Sequence, residues 1–458
     1  MHARLDRAAR QARGDLPTLV SVSERLSGNH DPSAIALASR AAGEPWFCFE
    51  QPDRDGTALA ALGCAHELRA GGERRFGQLD SLWRELSSRA RDDGYEGPPG
   101  AGLVAVGGFA FSHEGGRSPA WSGFAAASLL VPELSFARLG SETWVTVNVA
   151  VAHGDDPERH HRRLEGRLAG LLERPPPLLD PAPTGTFTVH SAMPPSHYEQ
   201  AVARAVERIR AGELEKLVLA REVQVQAPSA HDPAAVFDVL RGGFRSSYVY
   251  AVGRGDASFI GATPELLVRR QGQRASTVAL AGSIRRSADP AVDDHLGETL
   301  LHSVKNRHEN ALVAQRIAKT LSSYALWVTV APEPVLIRVA NIQHLAAPIR
   351  AQLKSPVGVI ELAGALHPTP AVGGEPDAVA QRMIPALEGM DRGWYAGAVG
   401  WADASGDGEF CVALRCALLR GRLASCFAGA GIVGDSDPGQ ELAETETKLQ
   451  ALLPVVSG

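Results

Sequence analysis

Hydrophobic and polar positions alternate along much of the chain with the two-residue period of half-buried strands, and elsewhere recur at helical spacing. Residues 101–111 (AGLVAVGGFAF) and 142–152 (ETWVTVNVAVA) read as strands, and 156–173 as a helix opened by Asp156 and Pro157. In 197–213, Tyr198, Val202, Val206 and Ile209 fall on one helical face. Strand-like runs at 216–225, 246–253, 265–272, 327–340, 409–419 and 422–431 then alternate with long helices. Polar turns at 404–409 (ASGDGE) and 419–422 (LRGR) join neighbouring runs, which favours antiparallel pairing. The pattern predicts a mixed α/β protein with large, mainly antiparallel sheets.

Three polar intrusions into this pattern carry candidate chemistry. In the helical stretch 298–321, Leu301, Val304, Leu312, Val313 and Ile317 mark the apolar stripe, and Glu309 projects inside it. A carboxylate there must be paired or neutralised, because losing its hydration is costly. No H-E-x-x-H spacing accompanies it, so zinc is not indicated, whereas magnesium takes hard oxygen donors. Lys216 opens an apolar strand on the same face as Val218 and Ala220. It either snorkels from the strand end or is buried, in which case desolvation makes it a usable base. Glu265 follows a Thr-Pro turn at a strand entry, solvated or raised in pKa to act as an acid.

The C-terminal stretch FAGAGIVGDSDPGQELAETETKLQ can be read in two ways. Gly429, Gly431 and Gly434 spell G-x-G-x-x-G, but the chain has only one further helix and no strand after it, which argues against a dinucleotide fold. Asp437 is a natural N-cap with Pro438 at the first helical position. At about 100° per residue, Glu441, Glu444 and Lys448 form one strip, beside a stripe of Leu442, Leu449 and Leu453. The plainer alternative is a solvated Glu444–Lys448 pair worth roughly a few tenths of a kcal/mol.

Composition narrows the class. The 458 residues are 44% hydrophobic and 21% charged, enough for a sizeable core. A net charge of −6 and the absence of a long basic run give no sign of nucleic-acid binding, so no such partner is expected, and RHHRR at 159–163 reads as a solvated helix face. Five cysteines without a C-x-x-C pair imply reduced thiols rather than a disulfide frame. Neither a secretory leader nor a membrane-spanning run is present, so a soluble cytoplasmic protein without a membrane partner is expected. Five prolines in 173–185 mark an extended connector that divides the chain into 1–185 and 186–458.

Nine blocks, in order, make the chain resemble the chorismate-utilising enzymes, and among them the isochorismate synthases: EKLVLARE, FIGATPELLVRR, VALAGSIRR, KNRHENALV, IQHLAAPI, LHPTPAVGG, DRGWYAGAVGW, GEFCVALRCALL and the glycine-acidic stretch above. The match is strong over about 190–455. The resemblance implies one α/β unit, with two large sheets, helices outside and the active site between the sheets. It implies magnesium on Glu309 and Glu444, with Glu441 close by through water, holding a carboxylate of chorismate. It places Gly282, Ser283, His344, Ala371, Tyr395, Leu414, Arg415, Gly429 and Lys448 against substrate. Lys216 would activate water at C2, and Glu265 would protonate the departing C4 hydroxyl. The lysine sets the chain apart from amine-adding relatives that use a glutaminase subunit, so no such partner is expected, and the family is often monomeric. Ala371 resembles isochorismate synthases rather than salicylate synthases, the alternative, which tend to carry threonine there. Menaquinone, siderophore or salicylate synthesis would consume the product. Asn310 departs from the RHEH of some relatives.

Overall fold

Strands from both ends of the chain assemble into two sheets in the computed structural model, which describes residues 2–11, 18–92, 97–153, 155–172, 184–339 and 342–457. Among the described residues one sheet has 12 strands and the other 10, and their ladders run antiparallel, as expected. The early and late parts of the chain interleave. Gly43–Gln51 pairs with Tyr248–Gly255 in the larger sheet, and Val104–Phe109 pairs with Ala398–Asp403 in the smaller. Most of the proline-rich connector, residues 173–183, lies outside the described residues.

The larger sheet buries both faces, and the two-residue period sorts its side chains. Tyr248, Tyr250 and Val252 enter the core shared with the smaller sheet. Val249 and Ala251 enter a second core, beneath the helices Pro32–Ser39 and Pro233–Gly243. Burial on both faces gives near-continuous hydrophobic runs, and such runs hide where the chain changes sheet.

Two such changes position the site. The run 409–419, expected as one strand, is Gly408–Val412 in the smaller sheet and Cys416–Arg420 in the larger. Its neighbour does the same in reverse, from Ala257–Thr263 to Leu266–Gln271. The crossings are Ala413–Arg415 and Pro264–Glu265. They are tied together by Ala262 N–H donating to Arg415 O at 3.1 Å and Val412 N–H to Glu265 O at 3.0 Å. Arg415 takes φ +48°, which turns the chain sharply and swings its side chain out of the strand repeat.

Two further expectations need correction. The run 327–340 forms two strands, Ala325–Val330 and Val335–Arg338, both on Ile342–Leu353, because Pro332 and Pro334 turn the chain between them. The helical stretch 298–321 breaks at Ser303, whose hydroxyl caps Val304–Ser322 by accepting from Asn306 N–H. Its buried face is Asn310, Val313, Ala314, Ile317 and Leu321, while Val304 is 84% exposed. Glu309 therefore borders the apolar stripe instead of lying inside it.

Candidate active site

A cavity of about 650 Å³ opens beside the crossings, and all fourteen residues singled out from the sequence line it. Lys216 begins the strand Lys216–Gln226, paired with Leu423–Ile432 so that Ala220 faces Gly429. Glu265 and Arg415 come from the crossings, with Leu414 beside them. Ser283 and His344 face each other on paired strands, next to a bulge where Gly282 takes φ +81°. Glu309 comes from the helix after Ser303, and Glu441, Glu444 and Lys448 from the helix Pro438–Leu449, capped by Asp437 as expected.

Glu265 is buried, and loss of hydration pushes its carboxyl up to about 7 against the opposing pull of Lys216 and Arg415. Thr369 Oγ1 donates to its Oε1 at 3.5 Å. Lys216 is 8% exposed rather than snorkelling, and its Nζ donates to Glu309 Oε1 at 2.6 Å. The amine is thus held by a carboxylate, not isolated in an apolar wall.

The opposite charge is gathered around Arg415. Burial lowers its pKa, and among the described residues no carboxylate lies within ion-pair distance of it. Its Nη2–H instead donates to His344 Nε2 at 3.1 Å. Burial first, then the Arg415 and Lys448 charges, hold His344 well below its ordinary value, so the ring stands neutral and accepts that bond. A buried guanidinium without a counter-carboxylate suits an anionic ligand.

Lys448 Nζ donates to Gly429 O at 2.8 Å and to Glu444 Oε1 at 2.7 Å, so the helical pair forms. Burial pushes the Glu444 carboxyl up, but Lys448 and Arg415 pull it below the usual range. Glu441 goes the other way, raised by burial and by the like charge of Glu444, with Ser436 opposing. Among the described residues no three His, Cys, Asp or Glu side chains stand close enough to hold a metal as arranged. The three glutamates share the cavity, but Lys216 holds Glu309 and Lys448 holds Glu444.

Several contributors carry a role at the site that the sequence reading did not give them. Gly431 carries no side chain because a Cβ there would meet Lys216 Cε at 2.9 Å. Asn310 Nδ2 approaches the carbonyls of Ala279, Ala281 and Leu345 at 3.1, 3.3 and 3.0 Å, anchoring the Glu309 helix to the strands of Gly282 and His344. Lys305, Arg316 and Lys319 line the cavity from exposed positions, which favours approach of an anion. The recurrence of these three cations on one helix was legible, but not the cavity they border.

The residues and the fold define a class. The chain belongs to the chorismate binding enzyme family, whose model matches residues 4–457. It is 39% identical over 457 residues to the salicylate biosynthesis isochorismate synthase of Pseudomonas aeruginosa, covering 99% of this chain and 93% of that one. It is 34% identical to the isochorismate synthase MenF of Bacillus subtilis, over 78% of this chain and 75% of the relative. MenF of Escherichia coli, the menaquinone-specific isochorismate synthase, matches in structure with a TM-score of 0.80 at 26% identity, covering 100% of both chains. The chain is therefore an enzyme of this family, and these relatives, as isochorismate synthases, are isomerases. No helix among the described residues is long and apolar enough to cross a membrane.

Proposed function

We propose that the protein converts chorismate to isochorismate with magnesium. The observation that carries this reading is a carboxyl raised to about 7, Glu265, on the same cavity wall system as a buried lysine, Lys216. In the unprotonated form, Lys216 takes a proton from water as its oxygen bonds to C2. The ring double bonds shift, the C4–O bond breaks, and Glu265 gives its proton to the leaving oxygen. One water enters and one leaves, so the product is an isomer, and both groups return to their starting states by proton exchange with solvent. Positioned acid–base groups each contribute about 10²–10⁴-fold.

Arg415, Lys448 and the neutral His344 receive the anionic groups of the substrate, with Tyr395 and the backbone at Gly282, Ser283 and Gly429 shaping the pocket around the ring. Ala371 and Leu414 supply apolar wall. Glu309, Glu441 and Glu444 offer the hard oxygen donors that magnesium takes, and the raised Glu441 carboxyl is a group that a cation would neutralise. Bound there, magnesium supplies a fixed positive charge that orients a substrate carboxylate. Glu309 and Glu444 would exchange their lysine partners for it.

Incubating the protein with chorismate and magnesium, followed by chromatographic product analysis, tests the reading. Isochorismate as the main product supports it. Salicylate with stoichiometric pyruvate transfers the chain to the salicylate synthases, and unchanged chorismate removes the proposal.

A further inference from the structure

The buried pair Glu388–Arg392 lies outside the cavity, yet its bonds end on Val218 and Val372, which line it, and on Ala220, which faces Gly429. Both side chains are almost fully buried, 1% and 4% exposed, with Arg392 Nη2 at 2.5 Å from Glu388 Oε1. Arg392 Nη1 donates to Val372 O at 2.8 Å and Nη2 to Val218 O at 2.9 Å. Ala220 N–H donates to Glu388 Oε1 at 2.7 Å. The guanidinium also lies over the Phe111 ring at 4.2 Å and 5.7 Å from the Tyr395 ring.

Burying two charges costs several kcal/mol of hydration, and an apolar pair of similar volume would fill the space at less cost. What an apolar pair lacks is a planar fork of donors reaching separate backbones at once. Val218 and Ala220 belong to the strand that Lys216 opens, Val372 follows Ala371, and Tyr395 follows Arg392 by three residues, its N–H donating to Arg392 O at 2.9 Å. One rigid pair thus sets the position of the distant Lys216 strand relative to the walls at Ala371 and Tyr395.

We infer that Glu388 and Arg392 are positioning residues that hold the Lys216 strand, the Ala371 loop and Tyr395 in register for catalysis. The inference rests on the reaction proposed above. Loosening the pair displaces the base from its target, and a displacement of about 1 Å costs on the order of 10²-fold in rate. Because substrate anions are held by other residues, the loss falls on kcat rather than KM.

The experiment compares E388Q and R392K with R54K, which weakens the part-buried Arg54–Glu409 pair away from the cavity. Steady-state kinetics with chorismate and melting curves are recorded for all three and for the unaltered enzyme. E388Q and R392K should lower kcat by about 10²-fold with KM changed less than about threefold. R54K should lower the melting temperature and leave kcat intact. If E388Q and R392K lose melting temperature but keep kcat, as R54K does, the pair is only structural and the inference is overturned. The two variants are read side by side, so that a folding failure in one leaves the other to decide. An unaltered enzyme that forms no isochorismate defeats the proposed function instead, a result distinct from unchanged kcat in the variants.

Discussion

Burial removes the hydration that ionisation needs, and at Glu265 this puts a proton donor within reach of neutral pH. The acting form is the protonated one. With the pKa raised to about 7, the protonated fraction falls as pH rises through that value, and kcat falls with it on an alkaline limb. Glu265→Gln should lose about 10²–10⁴-fold in kcat and abolish this alkaline limb, as a pH–rate profile would show. Gly431 gives a second test at this scale. In Gly431→Ala the new Cβ falls 2.9 Å from Lys216 Cε and 3.4 Å from Glu309 Oε1, flexible atoms that can move aside. The fold should survive with a nearly unchanged melting temperature while kcat drops by about tenfold or more, because the displaced group is the base. An alanine variant with full activity would show that Lys216 tolerates displacement and would remove it from the chemistry.

At the scale of elements, the Glu309 helix depends on its two ends of attachment. Ser303 caps it, and Asn310 ties it to the strands below. Ser303→Ala should cost about 1 kcal/mol of stability, in line with other N-caps. Asn310→Leu leaves buried carbonyls unpaired and should cost about 1–3 kcal/mol, measured by denaturant unfolding. It should also weaken magnesium binding, read by calorimetric titration, since Glu309 is the next residue. The sequence located this helix and its carboxylate but drew the stripe through Val304 and Leu312, which are exposed. Hydrophobicity alone does not say which apolar residues face a neighbour. Here the cavity and the Ser303 break take up the side where Leu312 projects.

For the molecule as a whole, the interleaving of early and late strands makes one folding unit the natural reading. Removing residues 1–185 would strip Gly43–Gln51 from Tyr248–Gly255 and Val104–Phe109 from Ala398–Asp403, leaving two unpaired edges within the sheets. We expect calorimetry to give a single cooperative transition for the full chain, and residues 186–458 alone to aggregate. Two independent transitions would establish separate domains. Chelation belongs to the same scale: removing divalent metal should reduce turnover to background, with magnesium restoring it and raising the melting temperature, because an ion bound only by the folded state stabilises it.

The sequence by itself determined the class of fold, the strand and helix inventory in outline, and fourteen of the residues that line the cavity. It could do so because strand period, helix period and nine ordered motifs are local properties, each carried by a short run of neighbours. Only the tertiary structure decided that Gly408–Val412 and Cys416–Arg420 belong to different sheets, that Lys216 donates to Glu309, and that Arg392 reaches three cavity walls. The Lys216–Glu309 contact spans 93 positions and the Arg392–Val218 contact 174. The change of sheet has its physical cause in the side-by-side crossing of two strands, which no local hydrophobic pattern records.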